Sequence, residues 1–381
     1  MARILLFTPV MPCLTGQGSA IRVGIALEIL AEIHEVVVVQ LDLWNTHAGL
    51  MTADWVRQTA TAYHKVSAPA TTAAVSALVE EHLAQQHFDG VYVFRLATAS
   101  FALLVLGKLK RPGLPSVVDL DDDECSRTEK FLPLREAVGD FERAAHERDE
   151  LGRLRRLQRM LLSQFDCNLL ASTEDRAALA TRYPDQRFLQ LPNVVRLQQV
   201  APVAWSAAGR RNLLFIGTLN YLPNEDAILY FCSEVLALLR GAVPEVAVQI
   251  VGTQASAAVR QCGKLAGVTV KGPVKDVALE YGRARAMIVP LRAGSGTRIK
   301  ILEAFSFGVP VVSTTEGMAG LDLQNEVHLL IADTPESFAR ACERVLTDDE
   351  LASRLTRNAD TWLREHHTLD AVRELLHSLF R

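Results

Sequence analysis

Nothing in this 381-residue chain is paired up or repeated in a way that would announce its chemistry. Its cysteines are few and scattered: Cys13, Cys125, Cys167, Cys232, Cys262 and Cys342 show no CxxC and no regular spacing. That excludes a disulfide frame or a zinc ribbon and suits reduced thiols. No apolar run reaches the ~20 residues of a membrane span. The N-terminal stretch MARILLFTPVMPCLTG breaks at Pro9 and lacks the layout of a signal peptide. It reads as a buried first strand, and the protein is expected to be cytosolic. A basic excess is also missing: 40 Lys and Arg against 44 Asp and Glu leave a formal charge of −4, unlike the basic footprint of a general nucleic-acid binder. Low-complexity tracts and short repeats are absent, so solenoids and disordered polymers are excluded as well.

What is present is ordinary globular material, 49% hydrophobic and 22% charged. At about 150 residues per domain the length allows two to three domains. Short β-rich runs alternate with helical patterns. Strands are expected at Arg3–Phe7, Glu35–Leu41, Gly90–Phe94, Ser116–Asp119 and Asp166–Ala171, with helices at Ser19–Ala31, Thr72–Gln85 and Thr98–Lys108. The run Val36–Val39 is what a sheet buried on both faces requires. After the Pro/Ala/Gly-rich stretch Val200–Gly209 the rhythm restarts, with strands at Asn212–Ile216, Ala247–Val251, Val268–Val270, Ala286–Pro290, Pro310–Ser313 and His328–Ile331 and helices at Asn224–Leu239, Asp276–Arg283 and Arg298–Phe307. The pattern predicts an α/β protein of two doubly wound Rossmann-like domains facing a cleft. Their expected bounds are 1–199 and 211–365, with a hinge at 200–210 and the C-terminal segment 366–381 packing back on the first half.

The segment richest in chemistry is Pro290–Gly308, PLRAGSGTRIKILEAFSFG. A strand ends at Pro290, Gly294 and Gly296 allow close backbone approach, and a helix begins near Thr297. Free N–H groups and the positive end of the helix make this an anion site, with phosphate the expected anion. Arg298 and Lys300 add charge. Glu303, about one and a half turns beyond Arg298, is placed to accept from two vicinal hydroxyls such as those of a ribose. The bland alternative is an ordinary strand–turn–helix with a solvated glutamate.

GSGTRIKILEAFSFGVPVVSTTEGMAGL resembles the donor-binding segment of nucleotide-sugar-dependent glycosyltransferases of the B fold, in particular the large retaining group 1 family. FIGTLNYLPNEDAILYF, IVGT and VKGPVKDVALEYGRARAMIVPL follow the family's order over residues 210–360; in the first half only FTPVMPCLTGQGSAIRVGIALEILA is similar. The resemblance implies transfer of a sugar from a UDP-, GDP- or dTDP-linked donor to a hydroxyl acceptor (glycan, lipid-linked saccharide or natural product), with retention and with no metal or other cofactor. It assigns the ribose to Glu303, the diphosphate to Gly294, Ser295, Gly296 and Thr297, the base to Val274, and places Gly217 and Thr218 at the first strand end of the donor domain. Gly16 and Gly18 would let the first loop close over the phosphates.

The chain departs from the family in three places. The first of the paired glutamates is replaced by Ser295. The Arg/Lys clamp after the first donor strand is missing from GTLNYLPN, and Arg298 and Lys300 are the candidates to replace it. A histidine common in the first domain is also missing, where the chain reads VVDLDDDE. That acidic run has three readings: sugar hydroxyls held by Asp121 or Asp122, a metal-binding DxD, or a solvated helix start. Asp121 joins Arg298 and Lys300 as a catalytic candidate; Arg95 and Asp122 are candidates for the acceptor, with a simple strand-end ion pair the alternative for Arg95. Leu151, Leu154, Leu157 and Leu161 mark a helix face opposite Arg153, Arg156 and Arg159, either core against solvent or a contact for anionic lipid headgroups. Two rival functions share the donor site, a nucleotide-sugar epimerase-like enzyme and a catalytically silent donor-binding subunit.

Overall fold

Both halves of the chain build parallel sheets, because most apolar runs are followed by a helix that covers one face and returns the chain to the same edge. The structure, a computed structural model, describes residues 1–16, 18–43, 53–109, 113–197, 212–294 and 296–381. The expected hinge 200–210 and Ser295 lie outside them. The chain divides into one unit of Met1–Cys125, Glu150–Asn193 and Leu369–Arg381, and another of Ser126–Asp149 and Val194–Thr368.

In the first unit the strands are β1 (Arg3–Thr8), β2 (Glu35–Leu41), β3 (Ala62–Val66), β4 (Gly90–Phe94), β5 (Ser116–Asp121), β6 (Cys167–Leu170) and β7 (Phe188–Gln190), in the order β3-β2-β1-β4-β5-β6-β7. All pair in parallel. The runs Ile4–Phe7 and Val36–Val39 are fully buried, as a doubly covered sheet demands. β3 and β7 are edge strands that the sequence pattern does not reveal: only Val66 of AYHKV is buried, and β7 has three residues. Against the sheet lies the helix Gly18–Ala31, whose Gly24 has no room for a side chain, since a Cβ would fall 2.0 Å from the Cys13 carbonyl oxygen. The C-terminal helix Leu369–Ser378 packs on Gly18–Ala31, where Arg373 pairs with Glu32 at 3.0 Å.

The second unit has β8 (Asn212–Thr218), β9 (Ala247–Thr253), β10 (Val268–Lys271), β11 (Ala286–Val289), β12 (Val311–Ser313) and β13 (Leu330–Ile331), in the order β10-β9-β8-β11-β12-β13. Its core runs from Leu213, Leu214 and Phe215 through Met287 and Ile288 to Val311 and Val312. Strand order reverses direction between β8 and β11, the topological switch at which open α/β sheets bind ligands. One boundary differs from expectation. Residues 126–149 group with this second unit, because Phe131 and Leu134 of the helix Glu124–Ala137 pack against Leu222 and Ala293. A helical pattern in a sequence says that an apolar face exists, not which surface will cover it.

Gly24→Ala is expected to cost about 2 kcal/mol, because the added methyl forces the helix and the loop carrying Cys13 apart. Urea denaturation of the two proteins measures it, and an unchanged midpoint would contradict this packing.

Candidate functional site

The loop between β11 and the helix Ile299–Ser306 sits at the switch point of the second unit. Gly294 (φ +147°) and Gly296 (φ +65°) adopt backbone conformations that L side chains rarely take. A Cβ at Gly294 would also lie 2.4 Å from Nη2 of Arg298. Arg298 therefore lies flat on the loop it follows. Its Nη1 donates to the Gly296 carbonyl at 3.4 Å and its Nη2 to the Glu316 carbonyl at 3.3 Å, with the Glu316 carboxylate at 3.6 Å. The Thr297 hydroxyl is buried without a hydrogen-bond partner among the described residues.

Two residues on, Lys300 turns toward β8. Its ammonium donates to Oδ1 of Asn224 at 2.8 Å and lies 4.4 Å from the Phe215 ring centroid. Asn224 is fixed by its own donation to the Thr218 carbonyl at 2.9 Å. A Cβ on Gly217 would be 2.7 Å from the Asn224 amide and 3.3 Å from Lys300 Nζ, so a glycine is needed for this approach. Burial, reinforced by the neighbouring Arg298, lowers the Lys300 pKa to about 7. One turn further along the helix, Glu303 accepts from the Tyr281 hydroxyl at 3.3 Å, and Tyr281 is itself stacked on Phe307 at 4.6 Å. Burial raises the Glu303 pKa to about 7. A cation that gives up its proton easily and a carboxylate that holds one share one face of a helix, both at odds with their surroundings in the free protein. Opposed shifts of this kind mark functional sites more often than structural ones.

The structure thus brings Gly217, Thr218, Gly294, Gly296, Thr297, Arg298, Lys300 and Glu303 to one end of one sheet. Val274 follows the same end of β10 and packs against the core of this unit. Sequence reasoning missed Asn224 and Tyr281, which hold Lys300 and Glu303; an asparagine within NYLPN after the first strand was the available signal for one. It also missed Asp226, which accepts from Arg292 Nε at 2.9 Å beside the Tyr230 ring.

In the first unit the acidic run is not solvated. Asp119, Asp121, Asp122 and Asp123 are all buried. Asp119 accepts from Arg22 at 2.8–3.0 Å and from the Tyr92 hydroxyl at 2.6 Å. Arg95 donates to Asp121 at 2.7 Å and to Ser19 Oγ at 2.9 Å, pairs with Asp122, and reaches Glu124 at 3.9 Å. Asp123 turns inward to accept from Gln158 at 2.6 Å. Arg95 (φ 73°) and Asp121 (φ 67°) both occupy the left-handed region, next to a register shift between Asp119 and Asp121. Such strain at non-glycine residues persists only where the surrounding structure enforces it. Gly16 (φ 102°) and Gly18 flank the N-terminus of the helix that carries Arg22. Among the described residues, no group of three or more His, Cys, Asp or Glu is arranged to hold a metal ion.

Leu151 and Leu161 are buried and Leu154 and Leu157 half-buried, while Arg153, Arg156 and Arg159 are exposed. That is the pattern of a core-facing helix. No described helix is long and apolar enough to cross a membrane.

Comparison with solved structures identifies the architecture first. The chain resembles Anabaena HepE in complex with UDP and glucose (TM-score 0.67, 12% identity, 99% of this chain and 98% of that one). It also resembles sucrose-phosphate synthase from Thermosynechococcus elongatus (TM-score 0.75, 15% identity, 100% and 98%). S. aureus TarM, in complex with fondaparinux, alpha-GlcNAc-glycerol and UDP, is a third (TM-score 0.73, 8% identity, 100% of both chains). At such identities the likeness is one of fold, and the fold is glycosyltransferase B. Residues 210–348 match the family model described as Glycosyl transferases group 1. A curated relative, the putative glycosyltransferase YtcC of Bacillus subtilis (strain 168), is 40% identical over 60 residues. The match spans 15% of this chain and 15% of that protein.

Lys300 also makes the site testable without a ligand. Between about pH 7 and its ordinary value of 10.5, the native state binds fewer protons at this lysine than the unfolded chain, so its contribution to stability rises with pH across that window. Lys300→Met should melt higher than wild type at pH 6, with the difference shrinking toward pH 10. A constant difference between the two melting curves would mean that Lys300 titrates as an ordinary lysine.

Proposed function

We propose that the protein transfers a sugar from a nucleoside-diphosphate sugar to a hydroxyl acceptor, with retention of anomeric configuration. The observation that carries this reading is the pairing of Lys300 and Arg298 on a two-glycine loop at a helix N-terminus, one turn from Glu303. The loop amides and two cations suit a diphosphate, and the buried carboxylate suits a ribose diol. UDP in the HepE structures and UDP with sugar compounds in the TarM complex favour a uridine diphosphate donor.

The chemistry asked of the site is heterolysis of the anomeric C–O bond. As that bond lengthens, negative charge accumulates on the departing diphosphate. Lys300, only about half protonated near neutral pH when the loop is empty, gains its full charge as the anion arrives, and Arg298 is already held against the loop. Such preorganised donors act on the transition state without further rearrangement. With two cations and a helix N-terminus to neutralise the diphosphate, activity is expected to persist in EDTA. In the first unit we assign the acceptor to Arg95 and Asp122, with Asp121, held between Arg95 and Arg22, orienting the acceptor hydroxyl.

Thermal shift with UDP, GDP, ADP and dTDP tests the donor site. A ligand at ~100 times its dissociation constant adds about 2.7 kcal/mol. One nucleotide is expected to stabilise the wild type, and Glu303→Ala to bind it about 10–100-fold more weakly, the value of a charged hydrogen bond. Release of free nucleotide only in the presence of acceptor distinguishes transfer from epimerisation and from silent binding, the reading that Ser295 in place of glutamate favours.

Nucleotide affinity should peak near pH 7. Above it Lys300 must first take up a proton, and below it Glu303 must lose one, so affinity falls on both sides. Lys300→Met removes the alkaline limb only. A flat pH profile in the wild type would separate both residues from the ligand.

A further inference from the structure

Glu316 opens a short helical turn, Glu316–Met318, after β12. The turn is pinned to the end of β11: Gly317 N donates to Thr314 Oγ1 at 2.8 Å, and a Cβ on Gly317 would lie 2.4 Å from the Val289 carbonyl oxygen. The Glu316 side chain is 30% exposed, and one of its oxygens serves two cations. Lys130 lies 2.9 Å from Oε1 and Arg298 3.6 Å from the same atom. Lys130 comes from the helix Glu124–Ala137, outside the stretch that matches the family model. It is anchored there by its neighbour Phe131, edge-on to Tyr221 at 5.6 Å, and by Leu134 against Leu222 and Ala293, the residue before Gly294.

A carboxylate beside an anion-binding loop opposes the ligand, and a half-exposed ion pair contributes little stability to justify it. A single oxygen bridging two cations, however, reproduces what a phosphate oxygen would do in the same place. We propose that Glu316 is the counter-ion that fills the diphosphate position in the free protein, and that Lys130 is a third cation of the donor site. The inference rests on the donor reading given above. A diphosphate, with more charge and more acceptor oxygens than one carboxylate, displaces Glu316 and takes over Arg298 and Lys130. The helix Glu124–Ala137 thereby supplies one of the positive charges missing from GTLNYLPN.

The sign of one substitution decides the matter. Calorimetric titration with inorganic pyrophosphate and with UDP is run on wild type, Glu316→Gln and Lys130→Met, both partly exposed positions whose folding is checked by melting temperature. Removing the competing anion should tighten pyrophosphate and UDP binding by about three- to tenfold, while Lys130→Met weakens both by a similar factor. Weaker or unchanged binding by Glu316→Gln overturns the proposal and makes Glu316 a residue that merely positions Arg298. Unchanged binding by Lys130→Met overturns it as well. Should wild type bind UDP through Glu303 while Glu316→Gln loses affinity, the donor reading stands and this inference alone falls. Should wild type bind neither anion, the donor reading falls and takes this one with it.

Discussion

Arg298 and Lys300 stand two residues apart after β11, Arg298 beside the Glu316 carboxylate at 3.6 Å and Lys300 on the Asn224 amide oxygen. Arg298 lies on Gly294, and Lys300 is pressed between Phe215 and Asn224, close enough for Arg298 to help strip its proton. Folding by itself would not select the position of Lys300, where the charged form is disfavoured. An anion in the loop, as proposed above, would make it favourable. The two glycines of the loop, Gly217 at the end of β8, Asn224 and the pinned turn at Gly317 all serve to hold that arrangement in place.

The polar chemistry of the first unit is the inverse. Asp119, Asp121 and Asp122 are buried beside Arg22 and Arg95 and are each ion-paired with one of them. The tension there is in the backbone, with Arg95 and Asp121 both at positive φ. Uncompensated charge suits a ligand that brings its own, such as a diphosphate. A cluster already ion-paired and hydrogen-bonded within itself suits hydroxyls, which bring none. The two ends of a group transfer have these two requirements.

Much of this was legible in the sequence because it depends on local pattern. Continuous apolar runs gave the buried strands, β1 and β2 among them. Glycines before a helix marked the loop whose Gly294 and Gly296 take positive φ, and the helix expected over Arg298–Phe307 is found at Ile299–Ser306 with Glu303 in it. The edge strands β3 and β7 were not legible, because half-covered edges relax the apolar pattern by which strands are recognised. Nor was the partnership of Arg95 with Asp121 and Asp122, which joins two strand ends brought together only by the β4–β5 pairing.

The sequence alone determined that the chain alternates strands and helices in two series, and that the second series carries a glycine-rich loop running into a helix with a glutamate along it. These are statements about neighbours within a turn or two, where covalent geometry leaves little freedom. Tertiary structure decided which residues meet across long separations: Lys300 with Asn224, Glu303 with Tyr281, Lys130 with Glu316. It decided, too, that residues 126–149 join the second unit although they lie within the first series. The reason is physical. A side chain's charge state and partners are set by burial and by what packs against it, and neither is fixed until the sheets have formed.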